Sequence, residues 1–256
     1  MRSEADVTEY LRTLYPRLID SDMTVVSLFA DRATVDSPLG GKQLPAEFVT
    51  ETHSWLDHHM ARSEEVHTVV ASDRVVHELE LSVTVDDVAR VLPVMLIADL
   101  EGDRIRDLRI YHSTWPLTGT HMVRHPVIQY SLTERPQEPV GTYHEALETA
   151  DADKADSVFE PDGCVREPAG GPYVYCGADR TAWYRAILSQ GPIGLHLGTI
   201  TDDGVTVVYE YMADQWGFEP MTPQAGAAAY QRGPSGKLAS ARIYDDVQPP
   251  EALGDL

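Results

Sequence analysis

The sequence predicts an α+β fold that is built twice along the chain, and three observations support this prediction. A pattern of residues in the first half recurs in the same order about 130 residues later. In each half, amphipathic helical segments come first and strand-like segments follow. A length of 256 residues suffices for two domains of ordinary size. We therefore expect two tandem domains, each with N-terminal helices packed on one face of a curved, mostly antiparallel sheet.

The internal repeat is clearest around a turn that contains proline and glycine. Residues 29–41 and 159–171 share a phenylalanine, a valine, a proline and two glycines at matching positions. Further matches follow in the same order, namely His67 with His196, Glu80 with Glu210, and Arg109-Ile110-Tyr111 with Arg242-Ile243-Tyr244. Because chance would not keep that order over so long a stretch, we interpret the two halves as a duplication.

A polar stretch with four prolines and little periodicity separates the two halves. The prolines are Pro116, Pro126, Pro136 and Pro139. Such composition is typical of a connection between domains. We expect the first domain to span residues 1–120, a linker to span 121–138, and the second domain to span 139–256.

The elements of one unit follow from hydrophobic periodicity and from capping residues. A stripe of apolar residues at helical spacing runs from Val7 to Leu18, and Asp22 is placed to cap a short second helix. A strand that ends at Pro38 and a third helix that begins at Pro45 come next. Four strands complete the unit, namely Val66–Ala71, Val75–Val83, Val91–Asp99 and Ile105–His112.

Charge and composition exclude several classes of function. The net charge of −21 repels phosphate backbones and anionic lipid headgroups, so nucleic acid and membrane surfaces are not expected as partners. No apolar run has the length of a membrane span. Cys164 and Cys176 are too few for a disulfide framework, and we expect a cytoplasmic location. No phosphate-binding loop is present, and the histidines of the third helix do not share a face, so we expect neither a cofactor nor a metal.

Three features of the chain resemble the nuclear transport factor 2-like superfamily. They are the order of helices, the motif Phe-Ala-Asp-x-Ala-x-Val-x-x-Pro at 29–38 and the final strand Gly-Asp-Arg-Ile-x-x-Leu-Arg-Ile-Tyr at 102–111. That group includes ketosteroid isomerase and SnoaL-like polyketide cyclases. The resemblance covers both halves of the chain. It implies a cone-shaped domain in which a bent sheet wraps helices around a pocket. It also implies pairing of sheets, which a tandem chain would achieve as an intramolecular pseudo-dimer.

The resemblance to ketosteroid isomerase points to an acid/base site in the second unit. In ketosteroid isomerase-like proteins, the residue directly before this proline moves a proton, and a tyrosine of the first helix donates a hydrogen bond to the developing oxyanion. Glu167 and Tyr143 occupy these two positions. A carboxylate in an apolar pocket has a raised pKa, which suits general acid/base work. The alternative is a solvated glutamate and a tyrosine that packs in the core.

The first unit departs from this pattern. Ser37 precedes Pro38, and Asp36 lies one residue earlier, on the opposite side of an alternating strand unless a bulge turns it. Tyr15 is the counterpart of Tyr143. The isomerase's second pocket acid, on a late strand, has no carboxylate counterpart in either unit, so steroid isomerisation as such is not expected.

Two other arrangements are implied by relatives within the superfamily. Scytalone dehydratase and the dehydrochlorinases use a histidine–aspartate dyad, which points to Asp151 with His196 and to Asp22 with His67. The epoxide-opening polyether cyclases pair a glutamate with the acid before the proline, which points to Glu65 or Glu64 with Asp36. The alternatives are helix capping for the aspartates, core packing for the histidines and a solvated pair for the glutamates.

The substrate expected from these features is a hydrophobic small molecule such as a polyketide or terpenoid. Three aromatic residues are expected as pocket walls, namely Trp55, Trp183 and Tyr209. The reaction class is cofactor-independent proton transfer, which includes cyclisation, isomerisation, dehydration and epoxide opening. The alternative function is a non-catalytic protein that uses the same cone to bind a ligand or a partner.

Overall fold

The computed structural model describes residues 4–71, 73–131, 136–171 and 173–249. Its internal contacts divide the chain into two compact units, Met1–Thr120 (unit one) and His121–Leu256 (unit two). Each unit contains a six-stranded sheet with accompanying helices. The predicted α+β class and its repetition in tandem are therefore confirmed. The predicted linker stays a prediction, and its residues 132–135 lie outside the described residues.

Unit one follows the predicted order of elements. Its helices are α1 (Glu4–Ile19), a 3₁₀ helix (Met23–Leu28), α2 (Pro45–His58) and the short α3 (Trp115–Thr118). Its strands are β1 (Phe29–Ser37), β2 (Gly41–Gln43), β3 (Arg62–Ala71), β4 (Arg74–Val85), β5 (Val88–Glu101) and β6 (Arg104–Tyr111).

Unit two repeats this order. Its helices are α4 (Val140–Glu148), α5 (Ala152–Ser157) and α6 (Gly177–Leu188). Its strands are β7 (Phe159–Arg166), β8 (Val174–Cys176), β9 (Ile193–Asp202), β10 (Thr206–Trp216), β11 (Pro220–Arg232) and β12 (Leu238–Tyr244). No described helix has both the length and the apolar character needed to cross a membrane.

Both sheets have the same mixed topology. The order is β2-β1-β6-β5-β4-β3 in unit one and β8-β7-β12-β11-β10-β9 in unit two. The first strand of each unit pairs in parallel with the last strand, and the other pairs are antiparallel. The end of the first strand therefore lies beside the end of the last strand. This neighbourhood brings the residue before the repeated proline close to the residue that follows Arg-Ile-Tyr.

Alternation along the strands decides which residues face the helices. In unit one Val35 belongs to the apolar core with residues of α1 and α2, so Ser37 faces the same side and Asp36 faces the other. In unit two Val165 belongs to the core, so Glu167 continues on the core side. Tyr209 and Tyr211 of β10 also lie on the core side. The helix-facing side of unit two is rich in tyrosine.

The strand registers correct two of the matches expected from the sequence. In unit one, Glu78 pairs with Met95 of the next strand, and Met95 pairs with Tyr111 of the last strand. In unit two, Glu210 pairs with Ala227, and Ala227 pairs with Tyr244, the residue that matches Tyr111. The counterpart of Glu210 is therefore Glu78 and not Glu80. His67 lies opposite Glu78, whereas Thr199 lies opposite Glu210, so Thr199 and not His196 is the counterpart of His67. The first match failed because β4 carries two glutamates, Glu78 and Glu80, and the second failed because each strand carries one histidine at a different register position.

The two cysteines form a disulfide, contrary to the interpretation of the sequence. Cys164 of β7 and Cys176 of β8 are directly opposite each other in an antiparallel pair, with their Cα atoms 4.2 Å apart. A directly opposed pair at this separation is close enough for a bridge. Two cysteines are too few for a disulfide framework, but they can link the two strands of one hairpin. The disulfide also removes one argument for a reducing compartment.

Candidate active site

The hairpin of β7 and β8 positions Glu167. Glu167 follows the last residue of β7, and its backbone N–H donates to the carbonyl oxygen of Tyr173 at 3.0 Å. Its own carbonyl oxygen accepts from the N–H of Gly170 at 2.9 Å. Both backbone groups are thus held by the turn, which directs the side chain to the core side of the sheet. The repeated Pro-x-Gly-Gly sequence is the local cause, because Gly170 and Gly171 adopt the positive φ angles of the turn.

The carboxyl group of Glu167 is desolvated. Burial, and to a lesser extent the charge of Asp245, raises its pKa to about 8. The residue keeps part of its surface accessible even though protein surrounds the carboxyl group. At neutral pH, Glu167 is therefore mostly protonated and able to donate a proton.

Asp245 is a second carboxyl group on the same side, and the sequence analysis did not find it. It follows the last residue of β12, beside the end of β7. Burial raises its pKa to about 6, and a hydrogen bond from the hydroxyl of Tyr211 at 2.5 Å opposes that rise. Unit two thus has a second buried carboxyl group on the core side, at a position for which the sequence analysis proposed no acid. A usable signal was present, since a carboxylate directly follows the repeated Arg-Ile-Tyr.

Gly226 of β11 makes the contact between Tyr211 and Asp245 possible. It lies opposite Tyr211 in the β10–β11 pair. A Cβ atom at this position would collide with the ring of Tyr211 and would lie 2.9 Å from Cβ of Asp245. Only glycine leaves room for the ring to lie across the strand and reach the carboxylate.

Tyrosine hydroxyls surround the carboxyl pair. The hydroxyl of Tyr184 donates to the hydroxyl of Tyr143 at 3.1 Å, and Nε2 of His144 lies 3.0 Å from the hydroxyl of Tyr230. The rings of Tyr143 and Tyr230 pack edge to face at 5.6 Å. Burial raises the pKa of Tyr143 above its usual value, so the phenol stays protonated and remains a donor. The charge of Glu167 also raises the pKa of Tyr143, which indicates that the two groups are close.

The aromatic residues predicted for the pocket wall of unit two are core residues. Tyr209 is buried on the core side of β10, and its ring packs against Tyr230 at 5.9 Å. Trp183 of α6 stacks on Tyr175 of β8 at 5.4 Å. Through Tyr175, this stacked pair joins α6 to the hairpin that carries Glu167. A direct role for these rings in holding a substrate stays a prediction.

Unit one presents different groups at the equivalent positions. A cavity of about 180 Å³ is lined by residues that include Tyr15, Ser37, Trp55 and His112. Asp36 is not among them, as strand alternation predicts. Ser37 takes the position of Glu167, and His112, directly after Arg-Ile-Tyr, takes the position of Asp245. The carboxyl pair of unit two therefore has no equivalent in unit one.

The structure does not assemble the predicted histidine–aspartate dyads. Asp151 caps α5 by accepting from the N–H of Lys154 at 2.9 Å, and Asp22 caps the 3₁₀ helix by accepting from Thr24. His196 lies opposite Met212, on the sheet face away from Tyr211 and the helices, and its Nε2 contacts Asp214 at 2.8 Å. Because strands alternate, neither His196 nor His67 faces the core side of its sheet.

Glu65 also has a partner other than the one expected. It forms an ion pair with Arg12 of α1, with Nη2 and Oε2 2.7 Å apart. The hydrogen bond from Arg12 holds the pKa of Glu65 below its usual value, so this carboxylate stays ionised. Since Asp36 faces the other side of the sheet, Glu65 and Asp36 do not form the carboxylate pair expected for epoxide opening.

Comparisons with known proteins identify solved structures of similar fold. No family model and no curated protein matches the chain. A ketosteroid isomerase-like protein from Catenulispora acidiphila, solved with trimethylamine, is 14% identical and covers 43% of this chain and 90% of its own, with a TM-score of 0.39. The likeness is one of fold.

Two further solved structures match a similar share of the chain. A nuclear transport factor 2-like protein from Burkholderia pseudomallei is 16% identical and covers 44% of this chain and 98% of its own, with a TM-score of 0.40. TerC, crystallised with polyporic acid, is 17% identical and covers 43% of this chain and 92% of its own, with a TM-score of 0.38.

Proposed function

We propose that unit two is a cofactor-independent acid/base catalyst that moves protons on a hydrophobic small molecule. The observation that carries this proposal is the desolvated pair of Glu167 and Asp245, whose pKa values of about 8 and about 6 differ. At neutral pH such a pair holds one proton, so one member is an acid and the other a base. Reactions of this class include isomerisation, dehydration and cyclisation.

Each group has a defined role in this proposal. Asp245, ionised and fixed by Tyr211, removes a proton from a carbon next to a carbonyl group. The electron pair of the broken C–H bond moves towards the carbonyl oxygen, where Tyr143 donates a hydrogen bond. Glu167 delivers its proton to the carbon that is to be protonated. Transfer of the proton from Asp245 to Glu167 then restores the starting state.

The sequence analysis assigns proton transfer to Glu167, and these roles make it the acid of the pair. The reason is burial, because a carboxyl group with a pKa near 8 is mostly uncharged at neutral pH. The low dielectric interior also favours a neutral substrate over an ion, since an unpaired charge is costly to desolvate. The apolar and tyrosine-rich surroundings therefore support a ketone or enol of low polarity.

Hydrogen exchange tests this proposal without knowledge of the natural substrate. The protein is incubated in D₂O with a panel of apolar cyclic ketones and β-diketones, and the loss of α-proton signals is followed by NMR. Glu167→Gln and Asp245→Asn keep the shape of the side chains and remove the titrating group. Each should lower the exchange rate about 10²–10⁴-fold.

The matched control is Glu219→Gln, which changes an exposed glutamate of the same unit. It should leave exchange unchanged. Absence of exchange on the whole panel, or equal rates for wild type and both site variants, would count against proton transfer by this pair. The pairing of the two units as an intramolecular pseudo-dimer and the cytoplasmic location stay predictions.

A further inference from the structure

Asp246, the residue after Asp245, is a buried carboxylate that has no role in the reaction proposed for unit two. It is 5% exposed. Asp245 and Val247 both lie on the core side, so Asp246, between them, faces the other way. Burial of a carboxylate is costly unless hydrogen-bond donors replace the lost water. Donors to Asp246 are therefore expected from the protein.

The donors to Asp246 come from the beginning of unit two. The backbone N–H of Met122 donates to Oδ2 at 2.8 Å, and Nδ1 of His121 lies 3.1 Å from Oδ1. Met122 and Asp246 are 124 residues apart along the chain. We call residues 121–124 the clamp segment, because the contacts with Asp246 link it to the end of the last strand.

The clamp segment also takes the place of β12 beside β11. The pairing of β12 with β11 stops at Tyr244. Beyond that point, the N–H of Ala225 of β11 donates to the carbonyl oxygen of Arg124 at 2.8 Å. Ala225 precedes Gly226, the glycine opposite Tyr211. The clamp segment is thus attached to both strands that flank the contact between the tyrosine hydroxyl and the proposed base.

The charges of the clamp have opposing effects on Asp245. Burial is the main cause of the raised pKa of Asp245, and the hydrogen bond from Tyr211 opposes it. The charge of Asp246 raises this pKa, whereas the charge of His121 lowers it. Because the two charges oppose each other, the clamp acts on Asp245 mainly through the position of the backbone.

The chain continues differently after the last strand of unit one. Ser113 takes the position of Asp246, and its hydroxyl accepts from the N–H of Trp115 at 3.2 Å. The chain then turns into α3. The buried carboxylate therefore occurs in the unit that carries the proposed base, and a neutral residue takes its place in the other unit.

We infer that Asp246 is a positioning residue for the proposed base. By binding His121 and Met122, it fixes the backbone at the end of β12, so that the carboxylate of Asp245 lies against the hydroxyl of Tyr211. The effect on catalysis rests on the function proposed for unit two, whereas the effect on the position of Asp245 does not. The beginning of unit two, far from the site in sequence, is thus part of its support.

Carboxyl ¹³C NMR of the full chain tests this inference, because it follows the titration of Asp245 without a substrate. Asp246→Ala removes the acceptor for both clamp contacts. Water should then reach Asp245, and its pKa should fall from about 6 towards the usual 3.8. Asp246→Asn removes the charge but keeps an oxygen that accepts from Met122, so the pKa of Asp245 should fall less.

The hydrogen-exchange assay gives the catalytic readout. Displacement of a catalytic group by a fraction of an ångström to one ångström lowers the rate strongly, so Asp246→Ala should reduce exchange about 10–100-fold. Asp246→Asn should stay within about threefold of wild type, because the position of the backbone is retained.

A second variant keeps the test decisive if Asp246→Ala does not fold. Met122→Pro removes the donor N–H and leaves Asp246 in place. It should lower the pKa of Asp245 in the same direction as Asp246→Ala. The matched control is Asp203→Ala, which removes an aspartate that accepts from the N–H groups of Val205 and Thr206 in a turn of the same unit. It should change neither the pKa of Asp245 nor the exchange rate.

The outcomes separate this inference from the proposed function. Equal pKa values of Asp245 in wild type, Asp246→Ala and Met122→Pro would overturn the positioning role. An equal fall in Asp246→Asn and Asp246→Ala would also overturn it, since the charge of Asp246 alone would then account for the effect. A lowered pKa of Asp245 in Asp246→Ala, together with no exchange by wild type, would support the positioning role and remove the proposed catalysis.

Discussion

At the scale of single residues, burial decides the chemistry of unit two. Glu167 and Asp245 are ordinary carboxylates in the sequence, and enclosure by the tyrosine-rich core raises the pKa of both. The hydrogen bond from Tyr211 favours the ionised form of Asp245, which keeps the two pKa values apart. The surroundings of the two carboxyl groups, and not their residue types, therefore decide which of them holds the proton.

This raised pKa predicts a pH dependence of stability. A folded-state pKa of about 8 for Glu167 exceeds the usual 4.5, so its contribution to stability is fully present below about pH 4.5 and is lost as the pH rises through 8. Wild type should therefore lose roughly 3 kcal/mol of unfolding free energy through this group between about pH 5 and about pH 8, and Glu167→Gln, which has no titrating group there, should not. Urea unfolding at both pH values measures the difference.

The comparison variant for this experiment is Glu219→Gln, which changes an exposed carboxylate. Its unfolding free energy relative to wild type should not depend on pH over this range. A pH-independent difference between Glu167→Gln and wild type would mean that the carboxyl group is solvated.

At the scale of elements, the hairpin of β7 and β8 is the support of the site. The disulfide between Cys164 and Cys176 joins the two strands three residues before Glu167, and the turn that holds the backbone of Glu167 lies within the loop that the disulfide closes. The same hairpin carries Tyr175, which stacks on Trp183. A covalent link at this point restricts the unfolded chain and keeps the strand ends in register.

Removing the disulfide should destabilise the protein. The double variant Cys164→Ser, Cys176→Ser should lose about 2–3 kcal/mol of unfolding free energy, since the closed loop is short. Chemical unfolding without reductant measures this loss. Wild type treated with a thiol reductant should lose a similar amount, and the double variant should not respond to reductant. Unchanged stability in the double variant would show that the hairpin does not depend on the bridge.

At the scale of the whole molecule, the duplication has produced two units of one fold with different interiors. Unit two carries carboxyl groups at the ends of β7 and β12, and unit one carries Ser37 and His112 at the equivalent ends of β1 and β6. The matching topology shows that the same scaffold supports both.

This difference predicts that catalysis depends on one unit only. In the hydrogen-exchange assay, Asp36→Asn should leave the rate within about twofold of wild type, whereas Glu167→Gln lowers it by the factor given for general acid/base catalysis. Asp36 faces away from the core side of its sheet, which is the physical reason. A comparable loss of rate in both variants would assign catalysis to both units.

The sequence by itself determined the fold class, the order of elements and the duplication. Local patterns carry these features: helical stripes such as Val7 to Leu18, capping residues such as Asp22, and strands rich in β-branched residues. The position of Glu167 before Pro168 was equally readable, because it depends on one turn.

Only the tertiary structure decided which polar residues meet. Asp245 joins Glu167 because a parallel pair places the ends of β7 and β12 side by side, and Gly226 leaves room for Tyr211 to reach it. His196 faces away from the helices because cross-strand pairing sets its register and places it on the opposite face of the sheet. Contacts between residues far apart in sequence depend on strand register and packing, and neither is encoded in a local pattern.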